Sequence, residues 1–209
     1  MPIFPNNSGH TKYNVPFYSQ KWNLHDWKRL GFKSYKDAQY WEVSSCGILC
    51  LKMATDAFLS SRSEPLSPSV ASIIKLGVEI NAYDKDAGWR HEGIVRLADK
   101  LGFSAYTQNP VKNMELCQLL RDGDLAIVSV KSAFRTKKSP KEKILFWRKY
   151  GGHLALVIGY KEDESGKLEG FYIHHTSAVH ENNWPKKLIP LKVFNQGFTR
   201  RAVIIKRSS

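Results

Sequence analysis

The sequence predicts an α+β fold in which an N-terminal helical half packs face to face against a C-terminal, mainly antiparallel sheet, with a cleft between them. Three observations predict it. Helical periodicity dominates up to the turn signal Asp122-Gly-Asp124, β-rich runs dominate after it, and 209 residues supply one well-cored domain. Helices first and strands second is the order of a segregated α+β domain rather than of alternating βαβ units.

Taken in order, residues 1–14 are rich in Asn, Gly and Pro and read as an irregular arm, leaving 15–209 as the domain. Val15-Pro-Phe-Tyr-Ser-Gln20 is apolar and aromatic, and Pro16 holds the residue before it extended. Ser34 caps a short helix running through Gln39. Trp41-Glu-Val-Ser-Ser-Cys46-Gly then leads into a helix ending near Leu59. Cys50, Met53, Ala54, Ala57 and Phe58 recur there at spacings of three and four, which predicts one core-facing stripe. After a Ser/Glu/Pro loop, Ser67 is expected to cap and Pro68 to begin a helix ending near Leu76. Residues 77–89 read as loop. His91–Lys100 is amphipathic with Gly102 as its stop, and a further helix covers Asn113–Leu120. Strands are expected at Leu125–Val130, His153–Ile158, Gly170–His174 and Arg201–Ile205.

Composition narrows the function classes. A hydrophobic fraction of 42% and an aromatic fraction of 12%, with no apolar run near membrane-helix length, describe a soluble, folded monomer without a transmembrane segment. The N-terminus has neither a basic start nor an apolar signal core, so a cytoplasmic protein, or a secreted one with its signal removed, is expected. Three cysteines, two of them one helical turn apart, argue against a disulfide scaffold. A net charge of +13 implies attraction to anionic polymers. Part of that excess sits in residues 131–149, with eight basic side chains against one acidic. It reads as a solvated loop, or as a polyanion contact, since no nucleic-acid motif accompanies it.

The chemistry-bearing residues point to thiol acyl transfer, which needs a thiolate, an imidazole, a group orienting that imidazole, and oxyanion donors. Cys46 opens a helix, where unpaired amide N–H groups and the macrodipole are expected to lower a thiol pKa toward neutrality. His153 follows two glycines and opens a strand, placing its ring at a sheet mouth. His174 and His175 end the next strand, where alternate rings face opposite sides. Gln20 can supply an amide N–H to an oxyanion beside the backbone N–H of Cys46. Trp89, His91 and Gly152 are the candidate substrate contacts, with a capping or hydrogen-bonding role as the structural alternative for His91.

Five segments in order then carry a resemblance: Val-Pro-Phe-Tyr-Ser-Gln20; Ser-Cys46-Gly-Ile-Leu-Cys-Leu-Lys-Met; Gly88-Trp-Arg-His91-Glu-Gly-Ile-Val; Gly-Gly-His153-Leu-Ala-Leu-Val-Ile-Gly-Tyr160; and Gly-Phe-Tyr-Ile-His-His175. Over roughly residues 13–206 the chain resembles the bacteriocin-processing (double-glycine-leader) peptidase-like group of the papain-like cysteine peptidase superfamily. The resemblance implies a papain-like fold and a bacterial cysteine peptidase cleaving peptide or isopeptide bonds. It also implies Cys46 as nucleophile, His153 as general base, Gln20 as oxyanion donor, and no cofactor. The third member in such proteins is usually Asn or Asp, commonly before Pro, whereas His175-Thr176 stands here. A neutral imidazole can still accept a hydrogen bond through its unprotonated nitrogen. The long gap from Gln20 to Cys46 leaves Gln39 as an alternative donor. Two other readings stand beside this one: a metal site from Cys46, Cys50 and two histidines, against which the C-x3-C spacing argues, and a noncatalytic peptide or cell-wall-binding module on the same scaffold.

Overall fold

The computed structural model describes residues 9–131, 134 and 153–207. Gly152 and all of the basic stretch except Lys131 and Phe134 lie outside the described residues. The helices are α1 (Tyr35–Ser44), α2 (Cys46–Ser61), α3 (Val70–Glu79), α4 (His91–Lys100), α5 (Asn113–Asp122) and α6 (Leu191–Gly197). The strands are β1 (Gly9–His10), β2 (Tyr83–Asp84), β3 (Gly88–Trp89), β4 (Ala105–Gln108), β5 (Leu125–Val130), β6 (His153–Glu162), β7 (Leu168–His175), β8 (Trp184–Pro190) and β9 (Phe198–Ile205). The main sheet has the order β4-β9-β5-β6-β7-β8, with β1 paired to β6, and every described pairing in it is antiparallel. The α+β architecture is the one the residue order predicts.

Helix α2 is central, and it differs from the expected amphipathic stripe. Every residue from Gly47 to Phe58 is buried, including Lys52, Thr55 and Asp56. A helix enclosed on all sides must satisfy its polar groups internally. Thr55 donates to the Leu51 carbonyl at 3.1 Å. Asp56 accepts from Tyr18 Oη at 2.8 Å, from Ser67 N at 2.8 Å and from Ser67 Oγ at 2.5 Å, and it pairs with Lys52 Nζ at 2.9 Å. Ser67 is thereby committed to this network, and the cap of α3 is Ser69, which accepts from Ser72 N at 3.2 Å.

Elements that escaped sequence reading lie mostly at sheet margins. Strands β4 and β8 are the two ends of the sheet order. Strand β8 (WPKKLIP) carries the Pro and Lys that blunt an exposed edge and hide it from pattern reading. Part of the arm is ordered: Gly9 and His10 pair with Lys161 and Tyr160, and the His10 ring stacks on Tyr160 at 4.7 Å. The loop at 77–89 contains the short hairpin β2–β3. Helix α1 runs past Gln39 to Ser44 with Ser34 as its cap, as expected. Among the described residues no single helix is long and apolar enough to cross a membrane.

Candidate active site

The nucleophile turn is built by a bend. Helices α1 and α2 meet at 78°, with Ser45 between them. Ser45 is fully buried, yet its hydroxyl makes no capping bond to α2 and has no hydrogen-bond partner. The opening amides of α2 are therefore not closed by a side-chain cap. Gly47 follows because nothing larger fits: a methyl there would stand 3.0 Å from both Leu154 Cδ1 and Trp89 Cβ. Trp89 buttresses this turn from behind, since it is 6% exposed and its Nε1 donates to the Ser44 carbonyl at 2.7 Å. What the geometry shows for Trp89 is packing against the scaffold.

The first residues of β6 lie against Cys46. The Leu154 amide N–H reaches the Cys46 sulfur, and Cys50 Sγ donates to the Leu154 carbonyl at 3.7 Å. The sequence argument for a depressed thiol pKa is corrected here. Burial pushes the Cys46 thiol above its ordinary value, and the amide groups of Leu154, Gly47 and Cys46 itself oppose this without overcoming it. Counting helix-start donors left out burial of the turn, although Cys46 itself stays partly exposed.

The two histidines at the end of β7 part company, as strand alternation requires. His174 turns to the N-terminal segment: its Nε2 donates to the Val15 carbonyl at 3.0 Å, and its Nδ1 accepts from Lys186 N at 2.9 Å. Burial lowers its pKa, a contact with the Val15 carbonyl opposes, and Lys186 adds to the lowering. His175 turns to His153, with ring centroids 4.5 Å apart and planes inclined at 41°. Behind it lies Trp184 at 4.8 Å. His175 Nδ1 meets the Asn182 carbonyl at 2.6 Å, and a carbonyl only accepts, so Nδ1 carries a proton. In the neutral ring that makes Nε2 the acceptor nitrogen.

Gln20 is buried, at 3% exposure, and its side-chain oxygen has no hydrogen-bond partner, whereas Gln39 lies exposed on α1. The Gln20 segment is pinned to α2 by Tyr18, through its amide to Met53 Sδ at 3.4 Å and its hydroxyl to Asp56. Glu42 of α1 holds the next residues, taking Lys21 Nζ at 3.0 Å and Trp22 N at 3.2 Å. Residues of this second kind have no periodic signature and were missed by sequence reading. His91 opens α4, is buried, and meets Ser129 Oγ at 2.7 Å. Burial and Arg201 push its pKa down, against Glu92. Ser129 pairs with Leu154, so His91 is bonded to the strand residue opposite the one that follows His153. Among the described residues no group of three or more His, Cys, Asp or Glu side chains is arranged to hold a metal ion.

No protein-family profile matches the chain, and no curated protein is similar to it in sequence. Solved structures are similar in shape. A C39-like peptidase from Bacillus anthracis is 15% identical, with a TM-score of 0.58 over 97% of this chain and 100% of that one. The peptidase domain of Streptococcus ComA, a bifunctional ABC transporter involved in quorum sensing, is 18% identical, with a TM-score of 0.50 over 79% and 93%. A double-glycine-motif protease from an AMS/PCAT transporter, solved with its leader peptide, is 13% identical, with a TM-score of 0.50 over 96% and 98%. The chain has the papain-like α+β fold of the C39-type peptidase domains.

Proposed function

We propose that the protein is a cysteine peptidase acting on peptide substrates through a thioester acyl-enzyme. The observation that carries this reading is the meeting of three chain segments: the start of α2 with Cys46, the start of β6 with His153, and the end of β7, where the His175 ring lies 4.5 Å from that imidazole at an inclination of 41°. Cys46 Sγ attacks the scissile carbonyl while its proton passes to His153, and the same proton goes to the leaving amine as the C–N bond breaks. Water then enters, gives a proton to His153, and releases the acid product and the thiol. The oxyanion takes hydrogen bonds from the Cys46 amide and from the Gln20 carboxamide.

His175 replaces a carboxamide or carboxylate as the orienting group. In that role its neutral Nε2 would accept from the imidazole of His153, and protonation would remove that acceptor and set a second positive charge beside the imidazolium. Activity therefore falls more steeply on acidification than in a His175→Asn variant; superimposable acid limbs would contradict this role.

The test of the proposal is cleavage of a synthetic peptide carrying a Gly-Gly sequence, followed by mass spectrometry, with the acyl-enzyme trapped by acid quench. Cys46→Ala and His153→Ala should each abolish turnover while circular dichroism stays unchanged. Undiminished cleavage in either variant would refute the assignment. The raised thiol and the histidine in the third position also favour a second reading, a peptide-binding module without turnover. Saturable peptide binding with no acyl-enzyme at any pH would establish that one.

A further inference from the structure

The Gln20 segment is tied to the loop after His175 by the side chains of Ser19 and Asn183. Ser19 Oγ accepts from Lys21 N at 3.0 Å, which closes a tight turn around Gln20, and donates to Asn183 Oδ1 at 3.1 Å. Asn183 in turn organises the loop that follows His175. The same Oδ1 accepts from Ser177 N at 3.0 Å, while Nδ2 donates to the Ser177 carbonyl at 2.8 Å and to the Val179 carbonyl at 3.2 Å. The residue just before it, Asn182, supplies the carbonyl that fixes the tautomer of His175. One carboxamide thus closes the loop that sets His175 and grips the hydroxyl beside Gln20.

We propose that Asn183 is a positioning residue, acting with Ser19 as a brace that fixes the Gln20 segment relative to the His175 loop. The role of Gln20 rests on the peptidase reading, while the brace itself is a property of the two segments. Its function follows from distance. Oxyanion stabilisation requires a donor within hydrogen-bond reach of an atom set by Cys46, and a misplacement of about 1 Å costs about a hundredfold in rate. Ser19 and Asn183 are 164 residues apart, so local backbone preference cannot set the spacing and a tertiary bond must.

Two reporters separate a brace from a merely local bond. The Lys21 amide is bonded to Ser19, and the Ser177 amide to Asn183. If the brace operates, Ser19→Ala raises hydrogen exchange at the Ser177 amide at least tenfold, and Asn183→Ala does the same at the Lys21 amide. The amides of β9 stay unchanged, and Ser19→Thr, which keeps the hydroxyl, restores the slow exchange. With a Gly-Gly peptide as substrate, Ser19→Ala lowers kcat by about ten- to a hundredfold with KM within about twofold. Exchange that rises only at the amide bonded to the altered side chain would overturn the brace, as would an unchanged kcat. Should the natural protein cleave no peptide, the peptidase reading fails by itself, and the exchange of Lys21 and Ser177 decides the brace alone.

Discussion

Replacing Asp56 by alanine should be among the most damaging single changes in the protein. Asp56 has no exposed side-chain surface, and its partner Lys52 has 11%. The carboxylate accepts two bonds from Ser67 and one from Tyr18 as well as pairing with Lys52 at 2.9 Å. Its removal leaves the Lys52 ammonium with the Ser67 oxygens, at 3.0 and 3.1 Å, and the Tyr18 ring face, at 5.3 Å, but without the carboxylate that pairs with it. Breaking one side of a buried pair costs about 3–5 kcal/mol, because the remaining charge is uncompensated. For a chain of this size that is a fall of about 6–20 °C in Tm. Guanidinium denaturation followed by circular dichroism measures it. The double variant Lys52→Met with Asp56→Leu removes both charges and should recover part of the loss, the remainder reflecting the Tyr18 and Ser67 donors that lose their acceptor. A loss under about 1 kcal/mol for Asp56→Ala, or a double variant as unstable as the single one, would refute the argument from the uncompensated charge.

Three further outcomes follow from the geometry. Alkylation of Cys46 by iodoacetamide should rise with pH and reach half its maximum above the ordinary thiol value of about 8.5; a plateau already present below neutrality would show a resting thiolate and contradict the burial argument. His91 and His174 both have pKa values lowered in the fold, so their neutral forms contribute stability that is complete above the unfolded value of about 6.5 and is lost as pH falls below it. Urea midpoints at decreasing pH should therefore drop, and His174→Gln should flatten that drop, whereas an identical slope in the variant would remove His174 from the account. Gly77→Ala would set a methyl 2.5 Å from Trp89 Cζ3 and 2.9 Å from its Cη2. Overpacking of about 1–3 kcal/mol then outweighs the gain of up to about 1 kcal/mol in helix propensity, a balance that thermal melting would reverse if the indole can retreat.

What sequence reading reached, and where it stopped, divides along the range of the interactions. Ser-Cys46-Gly and Gly-Gly-His153 announce themselves locally, because a turn residue next to a periodic run marks where an element begins. The alternation along β7 told that His174 and His175 face opposite ways without telling which one meets His153. The single core-facing stripe predicted for α2 left out Lys52 and Asp56, because the groups that satisfy them, Tyr18 and Ser67, stand in other segments. Asn183 carries no local signal, because its partners Ser19 and Ser177 are set by tertiary structure. The thiol argument failed for the same reason: the donors at a helix start are written in the chain, while the burial that opposes them is set by segments distant in sequence.

The segment before Gln20 depends on partners that are synthesised late. Val15 is held by His174, Ser19 by Asn183, and the separations are 159 and 164 residues. On a ribosome, Cys46 and its helix emerge long before β7 and β8, so a partly made chain carries the thiol without the assembled groups around it. Contacts of such sequence separation close last and slowly. Assembly order therefore acts as a built-in delay: under the proposed chemistry, a nascent or C-terminally truncated chain has its nucleophile but cannot yet cut.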